Sequence, residues 1–336
     1  MQKLVLAALA ASTVLLAACG GGGGGGSTTS GGGDASAATS DDLAGMCSLP
    51  DQKRFVRAYL DEAYLWYREI RDVDAANYSS VPAYFDALLV RTPDANGLPK
   101  DRYSTVLPTG AAQDLLKDHT NAVPVTRVVR SPEGRRTGYI QFNDHESGAQ
   151  DDLITTFREL RDGGVQDLVL DLRFNSGGFL YVALAAASMI AGPSAEGKVF
   201  EQLRYNDKRN AETASSTLTF SSRLQFAETQ YASGSRLPQL DLPRVYVLTS
   251  GQTCSASESI VNSLRGIDLQ VVLVGDTTCG KPYGFRRRDN CGYAYFPIEF
   301  GAPTPRASAT IRPASRPPAG WRKTRTRPPA APATRC

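Results

Sequence analysis

Hydrophobic positions along this chain follow two different periods. Residues 51–70, DQKRFVRAYLDEAYLWYREI, bring Phe55, Val56, Tyr59, Leu60, Ala63, Tyr64 and Tyr67 to three-and-four spacing, the signature of a helix with one apolar face. A second helical stretch, VPAYFDALLVRT, follows, and then DRYSTVLPTGAAQDLLKD. Together they predict a small helical subdomain over residues 47–122 with its aromatics as a packed core. From residue 123 short apolar runs alternate with helical ones: GYIQF, DDLITTFREL, DLVLDL, LYVALAAASMIA, RVYVL, ASESIVNSLRG and LQVVLV. That alternation predicts an α/β body over residues 123–300, with strands buried on both faces.

The two ends have a different character. The apolar run from Leu4 to Ala18 follows Lys3 and ends in small residues. It is too short to span a bilayer and matches a secretion signal over residues 1–18. Its Leu-Ala-Ala-Cys ending resembles the lipobox of bacterial lipoproteins. The resemblance implies that Cys19 is acylated and that the protein is anchored in the cell envelope facing the periplasm, with Gly20 leaning toward the outer membrane. The glycine-serine tract up to residue 46 is then a flexible tether.

Beyond residue 300, Pro, Ala, Arg and Thr dominate and no acidic residue occurs. Eight basic side chains fall there, and removing them from the net charge of +3 leaves −5 for everything before residue 301. The extension over 301–336 is expected to be disordered, and its abrupt onset is what a shifted reading frame would write. No interleaving of aromatic and basic residues points to a nucleic-acid partner.

An exported chain with six cysteines is open to disulfides. With Cys19 acylated and Cys336 in the extension, Cys47, Cys254, Cys279 and Cys291 remain. Cys279 and Cys291 flank KPYGFRRRDN, a hairpin-like span, and are the first pairing expected; a disulfide bracing the loop before Ser255 would account for Cys254. No CxxC or HxxxH spacing suggests a metal, and no cofactor is expected.

Chemistry concentrates at three expected strand ends, where open α/β sheets place their sites. DLVLDLRFNSGG runs a strand into Asn175-Ser176-Gly177-Gly178, where glycines permit a sharp turn and leave N–H groups for a developing oxyanion. TSGQTCSASESIV sets Ser255 at a helix start, a position of positive potential suited to a nucleophilic hydroxyl. LQVVLVGDTTCGKP ends in a glycine turn presenting Lys281. A lysine ordinarily titrates near ~10.4 and serves as a base at neutral pH only when desolvated.

Taken in order, Asp101-Arg102-Tyr103-Ser104, Asp-Leu-Arg-x-Asn-x-Gly-Gly, Ser-Ala-Ser-Glu and Gly-Lys resemble the carboxy-terminal processing, or tail-specific, proteases. The resemblance covers roughly residues 47–300. It implies a crotonase-like or ClpP-like α/β core, a serine–lysine dyad of Ser255 and Lys281, and peptide hydrolysis through an acyl-enzyme. Backbone N–H groups of Gly177 or Gly178, with that of Ala256, would form the oxyanion hole. The implied substrates are unfolded or flexible chains with apolar C-termini.

Several features depart from that family. Ser255 and Lys281 are 26 positions apart, one more than usual. Between Ser104 and Gly138 lie 33 residues, too few for the PDZ module that many members insert. Phe285 stands four residues after Lys281, where some relatives carry an orienting glutamine; Asp268 and Glu258 are the substitutes, although Glu258 also suits the helix start. His145 is an alternative base, and His119, the other histidine, lies in a polar linker. Glu258 three residues after Ser255 excludes the Ser-x-x-Lys arrangement of β-lactamases. A silent binding protein on the same fold is the alternative; it would have no need of both Ser255 and Lys281.

Overall fold

The computed structural model describes residues 38–115 and 121–302. The signal-like segment, Cys19, the tract up to residue 37, His119 and everything from residue 303, Cys336 included, lie outside them. The N-terminal elements are α1 (Leu49–Ala63), α2 (Val81–Leu88), β1 (Thr105–Pro108), α3 (Thr109–Leu115) and β2 (Val125–Arg130). The central part runs through β3 (Arg136–Gln141), α4 (Ala149–Asp162), β4 (Asp167–Asp171), α5 (Leu180–Ala191), β5 (Val199–Gln202), β6 (Arg204–Tyr205), α6 (Asn210–Ser215) and β7 (Thr217–Thr219). Then come β8 (Arg244–Thr249), α7 (Ala256–Gly266), β9 (Gln270–Gly275), β10 (Tyr283–Gly284), β11 (Arg288–Asn290), β12 (Tyr293–Phe296) and β13 (Phe300–Gly301).

The main sheet has the order β2-β3-β4-β8-β9, with β2 antiparallel to β3 and the other pairs parallel. Alternation along the strands sends Ile140, Leu168, Leu170, Val245 and Val247 into one core with Leu153, Phe157, Ala186, Ile190, Ile260 and Leu264 of the helices. Only that face is fully packed. Tyr139, Val169 and Tyr246 on the opposite face remain half-buried, which corrects the expectation of strands buried on both faces.

The helical part is built as its pattern predicts, but it is not self-contained. Ser48 and Ser80 accept hydrogen bonds from the N–H groups of Asp51 and Ala83, capping α1 and α2. Phe55, Val56, Tyr59 and Leu60 meet Tyr84, Phe85 and Leu88 in a second core, which Tyr295 and Ile298 complete from the far end of the chain. β1 pairs with β12, so the segment from Ser104 to Gly138 is occupied by β1, α3 and β2. The helix expected to reach residue 70 stops at Ala63, because Asn206 takes the carbonyls of Glu62 and Tyr64 while Leu65 donates to the Ile298 carbonyl.

The folded body also begins before residue 47. Leu43 is buried, Ser40 donates to Glu62, and Gly45 donates to Asn290 Oδ1. Residues 38–46 therefore belong to the body and not to the tether. Among the described residues no helix is long and apolar enough to cross a membrane.

Candidate active site

β4, β8 and β9 lie side by side and parallel, so the three turns that follow them emerge together at one sheet edge. In the turn after β4, Asn175 is fully buried. Its Oδ1 accepts from the Gly177 N–H at 3.0 Å and meets His145 Nδ1 at 2.9 Å, while Nδ2 donates to the Phe142 carbonyl at 3.1 Å. Because Oδ1 is an acceptor, His145 must donate from Nδ1. Burial pulls the pKa of this histidine down to about 4, against the opposing Asn175 hydrogen bond, so the ring is neutral at physiological pH.

Both glycines of the turn are required by geometry. Gly177 has φ +97°, and a Cβ there would stand 2.8 Å from Ser255 Cβ and 3.0 Å from the Ala256 nitrogen. Gly178 has φ +143°, and its Cβ would fall 2.8 Å from the His145 carbonyl oxygen. Nothing larger than hydrogen fits against Ser255 from this side. Of the two glycine N–H groups expected to face an oxyanion, that of Gly177 is committed to Asn175.

Ser255 sits at the N-terminus of α7 with φ 54° and ψ −118°, a sparsely populated conformation for a residue with a side chain. Hydrogen bonds and a disulfide hold it there, among them the Glu258 N–H donating to its carbonyl at 2.8 Å. Its N–H donates to Glu258 Oε2 at 2.9 Å, its carbonyl accepts from Ser259 at 3.0 Å, and its neighbour Cys254 is disulfide-bonded to Cys279.

Glu258 is buried and fully used. Oε2 accepts the N–H of Ser255 and the N–H of Lys281, each at 2.9 Å; Oε1 accepts Thr278 Oγ1 at 2.6 Å and the Gly280 N–H at 2.8 Å. One carboxylate oxygen thus bonds the backbone nitrogens of both Ser255 and Lys281. Burial lowers the Lys281 ammonium to a pKa of about 8, against the Asp101 and Glu258 carboxylates, which pull it upward.

Asp268 falls outside the site, and His145 is tied into the glycine turn beside it. Asp268 lies beyond the far end of α7, a helix that alone spans about 17 Å from the Ser255 end at the helical rise per residue, and is too far to orient Lys281. His145 directs Nδ1 at Asn175 and has its backbone against Gly178; it supports the glycine turn.

The expected Cys279–Cys291 bridge is also replaced: Cys47 pairs with Cys291 and Cys254 with Cys279, at Cα separations of 5.3 and 5.2 Å. The span between Cys279 and Cys291 is no closed hairpin, because β10 pairs with β13 while β11 turns back on β12. Cys291, with φ 46°, occupies that tight turn beside Gly292, within reach of Cys47. Cys254, Glu258 and Cys279 gather three donor atoms within 4.8 Å, but the two sulfurs are bonded to each other and the carboxylate is saturated, so the set does not suit a metal.

One contribution comes from the helical part. Asp101 is fully buried, takes the Tyr64 hydroxyl at 2.6 Å and the N–H groups of Tyr103 and Ser104 at 3.0 and 2.9 Å, and so fixes the loop that reaches the site. The Tyr103 hydroxyl donates to the Gly280 carbonyl at 3.1 Å. The motif is visible in the sequence, but nothing local there says that it touches a turn more than 170 residues away.

Comparisons with known proteins agree with this construction. Residues 136–289 match Peptidase family S41 and residues 51–105 match the Peptidase S41 N-terminal domain, together more than half of the chain. The chain is 29% identical over 158 residues to the carboxyl-terminal-processing protease of Picosynechococcus sp., covering 47% of this chain and 32% of that protein. It is 26% identical over 144 residues to carboxyl-terminal-processing peptidase 1, chloroplastic, of Arabidopsis thaliana, covering 43% and 25%. The matched part therefore spans less than a third of either relative's length. A candidate S41 protease from Bacteroides fragilis shares the fold with a TM-score of 0.57 at 19% identity, over 74% of this chain and 85% of that one. A lipoprotein from Streptococcus agalactiae does so with 0.55 at 14%, over 80% and 91%. An α/β body carrying a helical N-terminal part, with matches to both parts in register along the sequence, places this chain in peptidase family S41.

Proposed function

We propose that this chain is a serine endopeptidase in which Ser255 is the nucleophile and Lys281 the general base. The observation that carries the reading is the shared Glu258 oxygen, which holds the backbones of both residues to one point. In the reaction, Lys281 Nζ takes the Ser255 hydroxyl proton as Oγ attacks the scissile carbonyl. The oxyanion faces the N–H groups of Gly178 and Ala256 at the positive end of α7. Collapse transfers the proton from Nζ to the departing amine and leaves an acyl-enzyme, which water hydrolyses by the same route.

A base with a pKa of about 8 is only about one-tenth neutral at pH 7. Activity should therefore rise tenfold per pH unit on the acid side and level off above pH 8. The curated relatives are named for processing carboxyl termini, which supports flexible or unfolded protein chains, cut near their C-termini, as substrates. The Leu-Ala-Ala-Cys19 sequence supports a lipid-anchored enzyme acting on envelope proteins in the periplasm.

The test is cleavage of an unstructured protein with an apolar C-terminus by the parent, Ser255→Ala and Lys281→Ala. The reading requires the parent to cut and each substitution to reduce the rate at least a thousandfold, on the order of the loss when a member of a catalytic set is removed. A folded parent that binds the substrate without cutting it would instead identify a silent binding protein.

A further inference from the structure

Among the described residues, none of the expected polar orienters is placed to serve Lys281. Phe285 occupies the position four residues on, Asp268 is at the distant end of α7, and the Glu258 oxygens are occupied by Thr278 and three backbone N–H groups. The surroundings of Nζ are aromatic instead. It lies 4.6 Å from the Phe285 ring centroid and 5.4 Å from that of Tyr103, both inside the ~6 Å range over which a ring face attracts an ammonium.

Neither ring is loose. Tyr103 is fixed at its hydroxyl by the Gly280 carbonyl, at its backbone by Asp101, and at its ring by Tyr283, with centroids 6.0 Å apart. Phe285 packs edge-on against Phe296 of β12 at 5.4 Å. Tyr103 thus rests on the second core through Tyr283, while Phe285, 36% exposed, rests on Phe296, which packs with Ala112 and Ala294 outside that core. We propose that Tyr103 and Phe285 are the positioning residues of Lys281, holding its side-chain nitrogen against two ring faces where other proteins would use a hydrogen-bond acceptor.

This rests on the reading of Lys281 as the base, and its physics can be separated from that reading. A ring face does two things to an amine. Its quadrupole favours the ammonium form, and its bulk excludes water, which favours the neutral form. The charged groups facing Lys281 are the Asp101 and Glu258 carboxylates, while Arg102, Glu258 and Tyr283 face Tyr103; substitution at Phe285 leaves all of these in place.

The experiment uses the full chain with 13C,15N-labelled lysine and follows the Lys281 Cε resonance, assigned by its loss in Lys281→Arg, from pH 6 to 11. Phe285→Leu keeps the bulk and removes the quadrupole, so the midpoint should fall by about half a pH unit. Phe285→Ala admits water, so the midpoint should rise toward the ordinary lysine value. Tyr103→Phe keeps the ring and loses the Gly280 bond, so the midpoint should stay while kcat falls several-fold with KM unchanged. Shifts of opposite sign for Leu and Ala at Phe285 support aromatic positioning. Shifts of the same sign, or none, overturn it. The resonance titrates whether or not the protein cleaves peptides, so failure of the dyad would appear separately, as cleavage that survives Lys281→Ala.

Discussion

Two buried glutamates lie on α7 and beside it, and they are treated in opposite ways. Glu258, in the first turn of the helix, receives four donors and holds two loops together. Glu201, on the neighbouring β5, is equally buried, yet only the Ser259 hydroxyl reaches it, at 3.2 Å, and its Oε2 has no partner among the described residues. Burial then dominates, and the Glu201 carboxyl is raised to a pKa of about 8. A buried carboxyl left without donors to replace its water tends to keep its proton. At one flank of α7 a carboxyl bonded by four donors organises a site; at the other, one left with a single donor fills a core.

The sharpest way to break this contrast is Glu258→Ala. Four donors lose their acceptor, so we expect a loss of about 4 kcal/mol in urea unfolding, within the range for breaking a buried charged network, and no measurable peptidase activity. A variant that keeps wild-type stability would show that the clamp is dispensable.

Glu201→Gln should act in the other direction and only as pH rises. The folded-state pKa lies above the ordinary value, so the parent's stability is fully present in acid and declines as pH passes through the window from about 4.5 to about 8. Relative to the parent, the glutamine variant should gain about 3 kcal/mol between pH 4.5 and pH 7. Parallel stability curves across that range would mean that Glu201 is ionised in the fold.

The smallest effect expected is at His145, whose depressed pKa gives the opposite slope. Its stabilising contribution is complete above the ordinary histidine value of 6.5 and is lost as pH falls toward about 4. The parent should lose about 2 kcal/mol more than His145→Gln between pH 7 and pH 5. Equal losses in the two proteins would rule out a neutral buried ring.

How much of this could be read from the chain depends on range. The run ASESIVNSLRG coincides with α7 because an amphipathic helix announces itself through its own period, and LYVALAAASMIA coincides with α5 as a continuous apolar run too long for a strand. The strands in DLVLDL, RVYVL and LQVVLV were equally legible, and with them the three turns that carry Gly178, Ser255 and Lys281. What stayed hidden is made by pairing of distant segments. Strands as short as β1 and β12 have no period to show, and nothing local tells that Tyr295 and Ile298 complete a core begun by Phe55. The same holds for Cys47, whose partner is 244 positions away. Even the Gly177-Gly178 turn concealed that the Gly177 N–H is committed, since that is decided by the orientation of the Asn175 amide.

The Cys47–Cys291 bond encloses nearly the whole described body, including the smaller Cys254–Cys279 loop, in one covalent ring. A single cut in any surface segment between residues 47 and 291 would linearise that ring without releasing a fragment. A peptidase is exposed to its own kind, and a nicked molecule of this architecture would still migrate as one piece until its sulfurs were reduced. Damage of that sort would be invisible on a non-reducing gel and would leave both halves of the site tethered for reassembly.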